Sequence, residues 1–275
     1  MTLDEILLHL TVDGFCVVED VIPEPEVDAI RKSALASFAA SKVKPPYKNS
    51  SGESDDHAGF INVDQSIAPY LADERVMAIV EAVFGPHVRA HETLLIVRRP
   101  LPEVKERRSS FHLDGPFAPC FAGHFRRPFP DTVVTLRAFW FLTPFTQENG
   151  ATFVVPGSHR MHTLPHIEGL DVNTRATYPT EVQAVGKAGS LMLWDTRLWH
   201  TTGINHSDED RVFMSMAYVP WWFNLEPDRD GSVQNQYMLN QNGQVKRGVP
   251  LIPEDVYQSL PEKAKPLFLH WVEER

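Results

Sequence analysis

Hydrophobic and polar positions divide the chain into a helical first third and a longer part built from strands. In the first third, apolar residues recur at intervals of three and four, which predicts helices at 3–10, from Pro23 onward and at 66–84. Residues 14–20 interrupt this pattern with a short β-branched and aromatic run that predicts a strand. Similar runs, bounded by Gly, Pro or polar clusters, predict strands at 92–99, 109–114, 133–143, 151–156, 181–185, 190–195 and 211–219.

The remaining segments complete a single predicted domain over 1–275. Residues 42–57 contain few apolar side chains and predict a loop, whereas a helix near 253–273 should pack against the outside. The chain contains no internal repeat and no low-complexity tract. We therefore expect a core at about 90–220, helical support at 1–89 and a C-terminal extension at 221–275.

The composition argues against nucleic-acid and membrane partners. Apolar residues make up 43% of the 275 positions, enough for a sizeable core, and the net charge of −10 disfavours a broad basic surface. No apolar run approaches the roughly 20 residues that cross a bilayer, and the first residues lack the features of a signal peptide. Cys16 and Cys120 form no close pair, so we expect a reducing, cytoplasmic setting. The oligomeric state stays open.

A short motif carries candidate metal chemistry. His112 and Asp114 are two residues apart in a predicted strand, so both side chains leave the same face of an extended backbone. His200 ends a later strand-like run. Two imidazoles and a carboxylate on one side of a metal leave the other side open, as in non-haem Fe(II) oxygenases. We therefore expect His112, Asp114 and His200 to be the metal ligands and the catalytic centre.

Arg211 predicts a second component of the same site. It begins the strand at 211–219, where it shares a face with Phe213, Ser215 and Ala217. The small side chains of Ser215 and Ala217 would leave room for a cavity beside it. A guanidinium stays charged at any working pH and binds a carboxylate through two parallel hydrogen bonds. A buried arginine beside an iron site therefore predicts a carboxylate cosubstrate.

Several motifs occur in an order and at spacings that point to one family. They are the strand 14–20 with its Pro-Glu-led helix, His112-x-Asp114, Glu148-Asn149-Gly150-Ala151-Thr152 continuing to Pro156-Gly157-Ser158-His159, the run from Gly189 to Asp195, His200 and Arg211. Together they cover roughly residues 10–220. In this respect the chain resembles the phytanoyl-CoA dioxygenase family of Fe(II)/2-oxoglutarate-dependent oxygenases.

The resemblance implies both a fold and a set of cofactors. The fold would be mainly β with flanking helices around a double-stranded β-helix, or jelly-roll, core. Fe(II) would lie on His112, Asp114 and His200, Arg211 would hold the far carboxylate of 2-oxoglutarate, and O₂ would be the oxidant. Thr152 matches a position where some members place a hydroxyl on the cosubstrate. Because Asp114 keeps the anionic ligand that a halogenating member lacks, we expect hydroxylation or desaturation.

The substrate is expected to be a small, largely apolar organic molecule from specialised-metabolite biosynthesis. Its pocket would be lined by aromatic and small residues, with these candidates: Phe117, Phe121, Phe213 and Trp140, or Phe139 in place of Trp140. The phenylalanines of 115–131 recur at intervals of four. That spacing fits either core packing or a substrate lid.

Other interpretations stay open at this point. The same chemistry could act on an amino acid or an acyl thioester, with Arg107-Arg108 and Arg126-Arg127 as the basic residues that could hold an anionic group. A non-catalytic, cupin-like metal- or ligand-binding protein is a second class, but it gives no reason for Arg211. Three further histidines lack the partners of zinc motifs and are expected to be structural or loop residues: His159, His162 and His166.

Overall fold

The computed structural model describes residues 1–41, 47–48, 54–117, 125–126, 128–161, 164–165, 177–242 and 248–273. Within these residues the helices are α1 (Leu3–Val12), α2 (Glu24–Ala40), α3 (Ala68–Leu71), α4 (Glu74–Phe84), α5 (Val233–Asn242), α6 (Glu254–Ser259) and α7 (Lys265–Phe268). The strands are β1 (Phe15–Val18), β2 (Tyr47–Lys48), β3 (Ser54–Ala58), β4 (Arg89–Arg98), β5 (Leu136–Phe141), β6 (Phe153–Val154), β7 (Val182–Gln183), β8 (Leu191–Asp195), β9 (His200–Thr201) and β10 (Arg211–Val219).

Two antiparallel sheets form the β part of the fold. The larger has seven strands in the order β1-β8-β5-β10-β4-β3-β2, and the smaller has three in the order β7-β6-β9. Val154 of the smaller sheet packs in one apolar cluster with Met192, Trp194 and Phe213 of the larger, so the smaller sheet covers the inner face of the larger. This mainly β architecture with flanking helices confirms the predicted fold class.

The outer face of the large sheet carries the helices. α1 begins with a capping box between Thr2 and Glu5, and α2 and α4 bury the apolar stripes that the sequence predicts. These stripes join the outward-facing side chains of β10 in one core cluster, whose members include Val27, Ile30, Val76, Ile79, Val212, Met214, Met216 and Tyr218. Because side chains alternate along a strand, Arg211, Phe213 and Ser215 face inward.

Two predicted helices are divided in the structure. The helix expected at 66–84 is α3 followed by α4, because the Asp73 side chain caps α4 by accepting a hydrogen bond from the Arg75 N–H. The helix expected near 253–273 is divided into α6 and α7. Leu260 between them is extended, the conformation favoured for a residue before proline, here Pro261. Among the described residues, no helix has the length and apolar character needed to span a bilayer.

Two predictions for the β part were wrong in detail. The expected loop at 42–57 contains β2 and most of β3, which add to the edge of β4 through backbone pairing rather than an apolar pattern. The strand expected at 109–114 is reduced to isolated pairs, Arg108 opposite Gly203 and His112 opposite His200. Between these pairs the chain advances four residues on one side and three on the other, so a regular ladder cannot form.

Candidate metal centre

Paired backbones bring His112, Asp114 and His200 together. The backbone N–H groups of His112 and His200 each donate to the other's carbonyl, at 3.0 and 3.2 Å, and the ring centroids lie 4.4 Å apart. Nε2 of His112 lies 4.0 Å from Oδ1 of Asp114, and Nε2 of His200 lies 3.6 Å from Oδ2. The three candidate ligand atoms lie within 4.8 Å of one another. One metal ion could contact all three.

The hydrogen bonds of both imidazoles suit metal binding through Nε2. Nδ1 of His200 lies 2.9 Å from Leu198 O, and Nδ1 of His112 lies 3.4 Å from Ser110 O. A proton on Nδ1 places the lone pair on Nε2, the atom that faces Asp114 in each ring. The His200 side chain is 6% exposed and the His112 side chain 51%. The group is therefore closed on the His200 side and open on the His112 side.

The charges around this group favour the ligand forms of Asp114 and His112. Burial alone would raise the pKa of Asp114, but the Arg137 guanidinium and then His200 outweigh it and hold that pKa well below its ordinary value. The protein packed around the ring, followed by the charge of the neighbouring His200, lowers the pKa of His112. A carboxylate and a neutral imidazole are the forms that coordinate a metal.

Arg137 contacts one of the candidate metal ligands, a position that sequence reasoning did not predict. Its Nε donates to Asp114 Oδ2 at 3.2 Å, and its Nη1 donates to Glu92 Oε1 at 3.3 Å. Burial opposes its charge, but Asp114 and Glu92 together raise the pKa of Arg137. Its position in β5 indicates that it faces inward, because side chains alternate along a strand and its neighbours Leu136 and Ala138 both join the outer core cluster.

Arg211 lies buried at the start of β10 and has capacity for another acceptor. Its Nη1 donates to Asn149 O at 3.1 Å, while its Nε is buried and has no hydrogen-bond partner among the described residues. The guanidinium lies 4.7 Å from the centroid of the Phe145 ring. Burial, followed by the charge of Arg98, lowers the pKa of Arg211 well below its ordinary value. This buried cation would be stabilised by a carboxylate ligand.

An aromatic wall connects the histidines to Arg211. Its ring centroids are 5.3 Å apart between His200 and Trp194, 4.5 Å between Trp194 and Phe139, and 4.5 Å between Phe139 and Phe213. The Arg211 guanidinium lies 5.6 Å from the Phe213 centroid. Nε1 of Trp194 is buried and, among the described residues, has no hydrogen-bond partner. Two unsatisfied donors along one wall fit a ligand that carries carboxylate oxygens.

The remaining predicted site residues have different positions. Trp140, expected in the pocket, is buried in the outer core cluster, so Phe139 is the β5 residue that faces the wall. Because the side chains of a strand alternate, the assignment of Trp140 to the pocket was wrong, and its alternative, Phe139, takes that position. Thr152 is buried just before β6, and among the described residues its side chain makes no hydrogen bond to the candidate site.

The Phe-rich segment is described only in part. Phe117 is buried, and its ring lies 5.3 Å from those of Phe125 and Phe129. Its backbone N–H donates to Asp114 O at 3.1 Å, which ties this cluster to the metal motif. Phe121 lies outside the described residues.

The basic pairs considered for an anionic substrate are only partly available. Both Nε and Nη2 of Arg108 donate to Glu181 Oε2, at 3.0 and 2.8 Å, so this buried cation is neutralised by a buried carboxylate. Arg107 lies 3.4 Å from the same carboxylate. Arg126 is exposed, whereas Arg127 lies outside the described residues. His159 is buried with Nε2 3.2 Å from Thr11 O, a structural position, and His162 and His166 also lie outside the described residues.

Comparison with protein families and sequences yields a consistent set of relatives. The model of the family described as Phytanoyl-CoA dioxygenase (PhyH) matches residues 10–213. The uncharacterized protein Rv1501 of Mycobacterium tuberculosis is 26% identical over 242 residues, 87% of this chain and 84% of that protein. The dioxygenase olcK of Penicillium canescens is 28% identical over 230 residues, 80% of this chain and 72% of that protein.

Solved structures with the same fold include SnoN and HygX. SnoN, a non-haem α-ketoglutarate-dependent epimerase from nogalamycin biosynthesis, superposes with a TM-score of 0.60 at 21% identity, covering 79% of this chain and 80% of SnoN. HygX of Streptomyces hygroscopicus, solved with nickel, 2-oxoglutarate and hygromycin B, superposes with a TM-score of 0.61 at 19% identity, covering 82% of this chain and 89% of HygX. The likeness supports the jelly-roll core predicted from the sequence.

Proposed function

The chain belongs to the phytanoyl-CoA dioxygenase family and is therefore a 2-oxoglutarate-dependent non-haem iron dioxygenase, and we propose which of its residues perform this chemistry. Fe(II) is held by His112, Asp114 and His200. The observation that carries this assignment is the convergence of one ligand atom from each of the three residues within 4.8 Å. Bound iron, with 2-oxoglutarate and O₂, supplies the oxidising power for reaction at an unactivated C–H bond, with succinate and CO₂ as co-products.

Arg211 anchors the far carboxylate of 2-oxoglutarate in this proposal. Its buried cation has no carboxylate partner among the described residues, and its Nε has no acceptor. Trp194 supplies a second N–H on the same wall. Thr152 stays a third candidate by its place in the Asn-Gly-Ala-Thr motif. A buried arginine without a counter-charge lowers the stability of a protein. A non-catalytic binding protein that binds no carboxylate would have no use for such a residue.

The residues around the iron determine what the oxidant does. Asp114 occupies the anionic ligand position, so the expected outcomes are hydroxylation or desaturation rather than halogenation. His112, the exposed member of the group, marks the side from which a substrate can approach. The aromatic wall excludes water on the other side, where the cosubstrate lies.

The substrate proposed here is a mid-sized, largely apolar organic molecule, of a polycyclic or aromatic kind, from specialised-metabolite biosynthesis. Aromatic side chains near the candidate ligands support it, among them Phe139, Phe213 and the cluster around Phe117. SnoN has been solved with a nogalamycin compound and HygX with hygromycin B, which supports a small-molecule substrate. The pairing of Arg108 with Glu181 disfavours an acyl-CoA ester, because it neutralises part of the available basic surface.

The test is coupled turnover across three substrate panels: apolar ring systems, free amino acids and acyl-CoA esters. We expect succinate formation to match substrate loss only in the first panel, and His200→Ala to give neither. Coupled turnover confined to the second or third panel would contradict the substrate class while leaving the reaction class intact. Turnover by His200→Ala equal to that of the wild type would contradict the ligand assignment.

A further inference from the structure

We propose that Arg137 is a positioning residue, which fixes the Asp114 carboxylate in the orientation that the metal requires, and that Glu92 in turn holds Arg137. The inference rests on the proposed function, because it concerns one of the three iron ligands. The Arg137–Asp114 ion pair is required neither by the His112-x-Asp114 motif nor by the binding of 2-oxoglutarate.

Contacts from three adjacent strands define the arrangement. Arg137 on β5 donates from Nε to Asp114 and from Nη1 to Glu92 on β4, at 3.2 and 3.3 Å, and Nη1 also lies 3.5 Å from Ser215 Oγ on β10. β5, β10 and β4 are neighbours in the large sheet, and Arg137, Ser215 and Glu92 all lie on its inner face. The guanidinium is therefore held between two carboxylates, those of Asp114 and Glu92.

Asp114 needs such a constraint because its own segment is irregular. The chain from Arg108 to His112 slips by one residue against its partner. The backbone of Asp114 is held by two isolated hydrogen bonds, from its N–H to Thr196 O and from the Phe117 N–H to its carbonyl. The strand that would otherwise orient its side chain is absent there. The hydrogen bond from Arg137 uses Oδ2, which lies 3.6 Å from Nε2 of His200, so Oδ1, 4.0 Å from Nε2 of His112, would stay available to a metal.

Two opposing effects must be separated to test this role. Removing Arg137 breaks the hydrogen bond that orients Asp114, and this loss weakens metal binding. It also removes a positive charge near the metal dication, and this change strengthens metal binding. Arg137→Met combined with Glu92→Gln removes one positive and one negative charge. The net charge of the pocket is then unchanged, while the hydrogen bond that orients Asp114 is lost.

The experiment measures anaerobic Co(II) binding to the full chain by titration calorimetry, together with the melting temperature of the metal-free protein. We expect the double variant to bind Co(II) about 10- to 100-fold more weakly than the wild type, as for other residues that orient metal ligands. Glu92→Gln alone keeps an acceptor for Nη1 and should lose less. Arg137→Lys keeps the positive charge but lacks the planar guanidinium, so its Co(II) affinity should lie between those of the wild type and the double variant. If the double variant does not fold, Arg137→Lys takes its place in the comparison.

The outcomes distinguish this inference from the proposed function. Equal Co(II) affinities for wild type, double variant and Arg137→Lys would overturn the proposed role of Arg137 but leave the assignment of the metal ligands intact. A wild-type chain that binds Co(II) no better than His200→Ala would overturn the ligand assignment, and the role of Arg137 with it.

Discussion

The most informative substitution is Arg211→Met. It separates the effect of the buried charge on the stability of the protein from its contribution to 2-oxoglutarate binding. Methionine fills a similar volume without the charge. The wild-type guanidinium donates to Asn149 O and lies over Phe145, but it has no carboxylate within ion-pair distance among the described residues. Losing these contacts costs about 2–4 kcal/mol, and relief of the buried charge returns a similar amount, about 1–4 kcal/mol. The two metal-free, cosubstrate-free proteins should therefore melt within a few degrees of each other.

The difference should appear when 2-oxoglutarate is added. A bidentate, charge-assisted pair in a dry site is worth about 2–4 kcal/mol, which is roughly 30- to 1000-fold in dissociation constant. At about 100 times the wild-type dissociation constant, the ligand stabilises the wild type by about 2.7 kcal/mol. The same concentration would stabilise the variant by less than about 0.9 kcal/mol.

Differential scanning calorimetry of the Ni(II)-loaded, anaerobic proteins provides the assay. For a chain of this size each kcal/mol shifts the melting temperature by roughly 2–4 °C, so the two ligand-induced shifts are readily resolved. Arg211→Lys should recover part of the shift, since it restores the charge but not the planar fork. Arg108→Met, which breaks a buried pair with Glu181, should melt lower yet keep the full shift. An equal shift in Arg211→Met and wild type would refute the role of Arg211.

Two further predictions concern a hydrogen-bond donor and the pH dependence of stability. Trp194→Phe should weaken 2-oxoglutarate binding roughly 10-fold or more, because one hydrogen-bond donor to a carboxylate is lost. Trp140→Phe makes the same chemical change on the outer face of the sheet and should leave the affinity unchanged. Equal affinities for 2-oxoglutarate in titrations of the two variants would contradict this prediction. Burial, followed by the charge of Arg89, lowers the pKa of His270 to about 4 from its ordinary 6.5. Between these values the unfolded chain binds more protons, so the contribution of His270 is complete above pH 6.5 and is lost as pH falls toward 4. His270→Gln should therefore lose less stability than the wild type between pH 7 and pH 5 in urea unfolding, and an equal loss would count against the shift.

The candidate site shows what local spacing can and cannot predict. His112 and Asp114 are two residues apart, and a motif of that kind is visible in one sequence. The Arg137–Asp114 contact joins residues 23 apart in the chain, and no local pattern encodes it. Arg137 faces inward because Leu136 and Ala138 on either side of it face the outer core. The partner that it meets there depends on how β5 lies against the irregular segment that carries Asp114.

The errors in the fold have the same origin. The segment of β3 is polar, so its pairing with β4 follows from a long neighbouring edge rather than from its own composition. Trp140 and Phe139 are adjacent and equally apolar, and only the register of β5 decides which of them faces the site. Helix interruptions at Asp73 and Pro261, in contrast, have local signals, a capping carboxylate and a proline, that a stricter interpretation of the sequence would have used.

The central claim is that His112, Asp114 and His200 hold an iron to which 2-oxoglutarate binds. Its most direct test is the visible absorbance of the anaerobic protein with stoichiometric Fe(II) as 2-oxoglutarate is added. The wild type should develop a weak charge-transfer band that saturates with the cosubstrate, and His200→Ala, which lacks one ligand, should not. A wild-type protein without the band, or a His200→Ala variant with the same band, would contradict the account.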